Sequence, residues 1–114
     1  MAYRVKIMPR AERDLAGIYQ WIGAGSSDAA LAWYRGLRKS IRSLRNNPQR
    51  SPATPENERF RHLLYGARPH GYRVIYQIVE KQKEVEILHV RHGAMDRLNM
   101  ISAAQSEWSH RSAL

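Results

Sequence analysis

The stretch GYRVIYQIVEKQKEVEILHVRHG, from Gly71 to Gly93, holds two apolar segments on either side of a charged run. Its first segment alternates Tyr72, Val74, Tyr76 and Ile78 against Arg73, Ile75, Gln77 and Val79. Both sides are largely apolar, which predicts a central strand. Glu80–Lys83 supplies a turn, and Val85 to Arg91 returns as the partner strand. Yet Arg73, His89, Arg91 and His92 stand among these apolar residues. A core rejects such groups unless they are paired. Successive side chains on a strand point to opposite faces, so seating Tyr72, Val74 and Tyr76 on the core sends Arg73 to the other side.

Upstream, RFRHLLYG reads as a further strand, joined to the hairpin by a turn through Ala67–Gly71. Before it lies an irregular loop, PQRSPATPENE, with three prolines at Pro48, Pro52 and Pro55. The N-terminal YRVKIMP alternates Tyr3, Val5 and Ile7 with Arg4, Lys6 and Met8 and reads as a short strand closed by Pro9. The period then lengthens. Ala11, Leu15, Ile18, Tyr19 and Ile22 recur at helical spacing, with Pro9 suited to the first turn and Gly23–Gly25 ending the helix. A second helix opens on the cap candidates Ser26, Ser27 and Asp28, buries Ala30, Trp33, Tyr34, Leu37, Ile41 and Leu44, and stops at Asn46, Asn47 and Pro48. The short connection between the helices predicts an antiparallel pair.

The expected fold class is therefore α+β. An N-terminal strand and an antiparallel helical hairpin pack on one face of a small, mainly antiparallel sheet, and the other face stays open. Residues 1–96 form this domain, and residues 97–114 read as a tail with a C-terminal helix through Leu98, Ile101 and Ala104.

The full chain of 114 residues suits one domain with a modest core. It carries no cysteine, which excludes disulfides, thiolate nucleophiles and cysteine-ligated zinc. The segment MAYRVKIMPRAERD lacks the apolar centre of a signal peptide, and no apolar run approaches membrane-spanning length, so a cytoplasmic protein with no membrane partner is expected. The formal net charge is +9. Such an excess attracts nucleic acid, an anionic surface or an acidic protein.

Arg73 is the centre of the candidate site. Arg61 is expected to join it from the preceding strand, and either Arg91 or His92 from the following one, forming a cationic surface fit for a phosphate chain or an acidic peptide. The plainer alternative makes these solvated edge arginines. On the open face an exposed Arg73 contributes little to stability, so Arg73→Ala is expected to leave the fold intact. No metal site is expected: His89 and His92 lie three positions apart, which sends them to opposite faces of one strand. Either histidine suits proton transfer near neutral pH. The basic run Arg35, Arg38, Lys39, Arg42 and Arg45 is the solvated back of the second helix, or else a source of long-range attraction.

The segments PRAERDLAGIYQWI, NNPQRSP, RHLLYGARPHGYRVIYQI and ILHVRHGAMD, taken in order, resemble the RelE/ParE superfamily of bacterial toxin–antitoxin toxins, over the chain to about Asp96. The resemblance implies the fold above and a plasmid-stabilisation-like toxin neutralised by a cognate antitoxin. RelE-like members cut messenger RNA on the ribosome without metal or cofactor, and ParE-like members instead poison DNA gyrase. RNA cleavage needs a base, an acid and cations around the phosphate. Carried over to this chain, those roles fall to Arg61, Arg73 and His92, whereas a binding role falls to Arg73, Arg91 and His89. Leu63 stands where the superfamily's nuclease pattern has a second basic residue, and no tyrosine follows Tyr76. The N-terminal half resembles ParE more than RelE. A ParE-like gyrase inhibitor is thus the first expectation, a ribosome-dependent endoribonuclease the alternative, and a non-toxic basic nucleic-acid-binding module the third.

Overall fold

The computed structural model describes residues 2–66 and 71–92. The proposed C-terminal helix through Leu98, Ile101 and Ala104 and most of the turn through Ala67–Gly71 lie outside the described residues. The elements run β1 (Arg4–Ile7), α1 (Pro9–Trp21), α2 (Asp28–Arg42), β2 (Arg61–Tyr65), β3 (Tyr72–Val79) and β4 (Glu84–His92). The four strands form one mixed sheet in the order β1-β4-β3-β2. β3 is antiparallel to both neighbours and β1 lies parallel to β4 at the edge. Two helices on one face of this sheet give the expected α+β arrangement.

Local chemistry accounts for the helices. Pro9 opens α1, where a missing N–H costs nothing. Gly23, at φ +71°, lets the chain turn away after α1 in a backbone region that side chains with Cβ disfavour. Ser27 caps α2, its Oγ accepting from the Ala30 N–H at 3.1 Å. The apolar stripes then meet the sheet. Leu15, Leu37, Ile41, Val74, Tyr76, Val85 and Ile87 are fully buried together. Each large apolar side chain removed from water contributes roughly 1.5–3 kcal/mol, which is why the amphipathic period decides where the helices sit.

An aromatic cluster locks α2 onto β2 and β3 on the helix side of the sheet. Trp33 packs edge-on against Tyr65 at 5.1 Å and against Tyr72 at 5.5 Å between ring centroids. The Tyr65 hydroxyl donates to the Trp33 carbonyl oxygen at 3.2 Å. Gly36 makes this possible: a Cβ built there would overlap the Tyr65 hydroxyl oxygen.

One irregularity governs β4. Ile75 lies opposite His89, but Tyr76 lies opposite Ile87, so Leu88 is an extra residue in the ladder. Val85 and Ile87 face the helices. Strict alternation beyond Ile87 would keep His89 and Arg91 on that side and turn Val90 away. The bulge reverses this. Val90 joins the helix-side core and lies opposite Val74, while Arg91 lies opposite Arg73.

The loop before β2 covers the outer edge of the sheet. The buried Tyr76 hydroxyl donates to the Pro48 carbonyl at 2.6 Å, and the Arg61 guanidinium donates to the Ser51 carbonyl at 2.6 Å and the Gln49 carbonyl at 3.2 Å. Ala53 bridges to Arg61, and the His62 N–H donates to the Pro52 carbonyl at 3.2 Å. These bonds blunt an edge that would otherwise offer backbone groups to another chain.

The two helical glycines make a matched test. At Gly17, in the exposed interior of α1, an added Cβ would meet nothing within 4 Å, whereas at Gly36 it would meet Tyr65. Alanine is favoured over glycine in a helix by about 1 kcal/mol. Gly17→Ala should therefore raise the thermal midpoint by roughly 4 °C, and Gly36→Ala should lower it. Adding Tyr65→Phe to Gly36→Ala should recover part of the loss. Thermal unfolding followed by circular dichroism reads all three.

Candidate functional site

The side of the sheet away from the helices carries two rows of register partners. Leu64, Arg73 and Arg91 form one, and His62, Ile75 and His89 the other. Residues directly opposite in neighbouring strands share a face. Arg73, Arg91 and His89 are thus brought onto one surface by three facts: the alternation of β3, the antiparallel pairing, and the bulge at Leu88.

This surface is not open at its centre. Arg73 is only 5% exposed. Its Nε donates to His62 Nδ1 at 3.2 Å, and its Nη2 lies 3.2 Å from Glu56 Oε1. The irregular loop, having started against Tyr76 on the helix side, rounds the edge of β2 and lays Glu56 over the guanidinium. The expectation of an exposed Arg73 is therefore corrected. Moving an arginine out of water costs several kcal/mol unless its N–H groups find partners, and here the chain supplies a carboxylate and a ring nitrogen. Because His62 accepts through Nδ1, a neutral ring carries its hydrogen on Nε2.

Arg91 is balanced from the other direction. Asp14 of α1 accepts from the Val90 N–H at 2.9 Å, pairs with Arg10 at 3.5 Å and stands 3.9 Å from His89 Nδ1. β1 ends at Ile7, and the Met8 N–H makes its last bond to the Ile87 carbonyl. The carboxylate of Asp14 then takes over as acceptor for β4 beyond the bulge. Burial holds the Asp14 carboxyl above its ordinary 3.8, against the opposing pull of the Val90 N–H, Arg10 and Arg91.

The remaining candidates go elsewhere. Arg61 lies opposite Tyr76, hence on the helix side, with its guanidinium on the loop carbonyls of Gln49 and Ser51. It does not join Arg73: the register is one residue off, and His62 takes that place. His92 lies opposite Tyr72, and the two rings pack edge-on at 5.2 Å between centroids. The trio Arg61, Arg73 and His92 is therefore divided between the two faces of the sheet. Glu56, His62 and Asp14 were missing from the sequence-derived site. His62 had a legible signal, since Leu63 and Tyr65 facing the core put His62 beside Arg73; Glu56 had none, because an irregular loop has no period.

Among the described residues, no group of three or more histidines and carboxylates is arranged to hold a metal ion, and no helix is long and apolar enough to cross a membrane. What the arrangement can do is hold an anion: one buried guanidinium at the centre, a second opposite it, and imidazoles alongside.

A family model described as the ParE toxin of type II toxin-antitoxin system, parDE, matches residues 5–97. The match spans most of the chain, which belongs to this family of toxins and so to the RelE/ParE superfamily. Among solved structures, the chromosomal ParDE toxin–antitoxin system from P. aeruginosa is similar at TM-score 0.63 and 18% identity, over 80% of this chain and 96% of that one. A mutant of E. coli toxin RelE in the free state gives 0.60 and 16%, over 86% and 90%. The toxin–antitoxin complex RelBE2 from Mycobacterium tuberculosis gives 0.57 and 24%, over 81% and 99%. At these identities the likeness is one of fold. A search of curated proteins finds no match.

The geometry reverses the expected effect of removing Arg73. Glu56 keeps 31% side-chain exposure and can turn partly to water, so the cost falls below that of breaking a fully buried pair. Arg73→Ala should lose roughly 2 kcal/mol. Arg35→Ala, on the exposed back of α2, should stay within about 0.5 kcal/mol of the parent. Urea unfolding of both variants measures the difference.

Proposed function

We propose that the chain is a ParE-like toxin that inhibits DNA gyrase in the cytoplasm and is neutralised by a cognate antitoxin. The observation that carries this reading is the division of Arg61, Arg73 and His92 between two faces of the sheet. Cleavage of RNA by its own 2′-hydroxyl needs a base, an acid and phosphate-binding cations gathered around one phosphorus atom. Here Arg61 is committed to loop carbonyls and Arg73 to Glu56. The family match supports a toxin of the ParE type.

Arg73, Arg91 and His89 then serve in binding rather than in catalysis, and the net charge of +9 supports an acidic partner. Complementary charge of this kind speeds encounter and selects partners more than it deepens affinity. An acidic antitoxin fits that requirement.

The test has two arms. The purified chain should inhibit supercoiling by purified gyrase, and a stoichiometric antitoxin should relieve it. Primer extension on messenger RNA from cells expressing the chain should show no cuts set by the reading frame. Frame-dependent cuts together with unimpaired supercoiling would overturn the proposal in favour of ribosome-dependent cleavage. Unimpaired growth of cells holding folded protein would leave the basic binding module.

A further inference from the structure

The cover over Arg73 bears on how a partner reaches it, given the reading of this face as a binding surface. Arg73 and Arg91 stand directly opposite one another on neighbouring strands. Like charges in that position repel, so the pairing calls for an anion nearby. Glu56 supplies one at 3.2 Å from Arg73.

Glu56 differs from its surroundings in how it is held. Its loop is stitched to itself. Thr54 Oγ1 donates to the Asn57 carbonyl at 2.8 Å and accepts from the Asn57 N–H at 3.1 Å, and the Thr54 N–H donates to the Phe60 carbonyl at 2.8 Å. These bonds lie within the loop, and none of them is made by the Glu56 side chain. Glu56 itself is partly wet, while the guanidinium it covers is almost sealed. An anion with one foot in water, on a self-contained tip, over a buried cation is the arrangement of a displaceable plug.

We propose that Glu56 is an internal stand-in for a carboxylate of an acidic partner segment, and that binding exchanges one for the other at Arg73. The third member of the same row favours a peptide as the incoming ligand. Leu64 lies opposite Arg73 on β2 and is 64% exposed, although most large apolar side chains of the described residues are covered. An exposed leucine beside a sealed guanidinium matches a chain that carries an apolar side chain next to an acidic one. A nucleic acid strand would instead call for exposed cations along its backbone and flat rings for its bases. In this exchange His62 stays with the Arg73 Nε, leaving Nη2 to change partners.

The test compares Glu56→Gln with Glu58→Gln, an exposed position in the same loop that changes net charge equally. The probes are a fluorescein-labelled peptide of alternating glutamate and leucine and a labelled poly(U) of similar length, read by anisotropy at fixed salt. Removing the competing carboxylate should tighten peptide binding by about tenfold over Glu58→Gln, since the occupied fraction of the site no longer counts against the ligand. Poly(U) should respond equally to both variants. Glu56→Asp, one methylene shorter, should fall between parent and Glu56→Gln, and it serves if the glutamine variant does not fold. Equal peptide affinities for Glu56→Gln and Glu58→Gln would overturn the plug while leaving the binding face standing, provided Arg91→Gln still weakens the peptide. If Arg91→Gln has no effect either, the binding face itself fails. Preferential tightening of poly(U) would overturn the assignment of a peptide.

Discussion

The site depends on one extra residue in a strand. With Leu88 bulged out of the β3–β4 ladder, everything beyond it in β4 changes sides. Val90 enters the core and Arg91 moves to the face of Arg73. Without the bulge, Arg91 would be driven under the helices against Tyr72, where an unpaired guanidinium costs several kcal/mol. The same shift explains Asp14. β1 has ended by this point, and the Val90 N–H finds its acceptor in a carboxylate from α1. One displaced residue thus ties helix, strand edge and charged face together.

The charged face is neutralised from within. Glu56 comes from the loop on one side and Asp14 from α1 on the other, so each arginine lies near a carboxylate of its own chain. That is how two guanidinium groups can share a row across neighbouring strands. It also limits what the face does: groups already engaged by carboxylates are poorly placed to stabilise a phosphorane-like transition state. Attraction and release of an acidic partner demand less, because one carboxylate can replace another with little change in the energy of the cation. The proposed binding role rests on that pairing, whereas the nuclease trio is divided by register, which sends Arg61 and His92 to the helix side and Arg73 to the other.

The fold was largely legible in the sequence. Alternation in YRVIYQIV marked β3, three- and four-residue spacing of Leu15, Ile18, Leu37 and Ile41 marked the helices, and Pro9, Ser27 and Gly23 marked their ends. All of these are local signals backed by burial. The site was less so, for identifiable reasons. The assignment of Arg91 or His92 to the Arg73 face turned on the bulge, and a bulge has no period of its own. Arg61 was placed by its charge, when Leu63 and Tyr65 facing the core already sent it to the other side. The exposure of Arg73 depended on Glu56, seventeen positions earlier in an irregular loop, and nothing in the spacing of a loop tells which strand its tip will cover.

Cross-strand nuclear Overhauser contacts between β3 and β4 test the bulge, and with it the shared face, most directly. Backbone contacts should pair Ile75 with His89 and Arg73 with Arg91, with Leu88 outside the ladder. A continuous ladder pairing Ile75 with Leu88 and Arg73 with Val90 would put Arg91 beside Tyr72 on the helix side, and the shared cationic face would not exist.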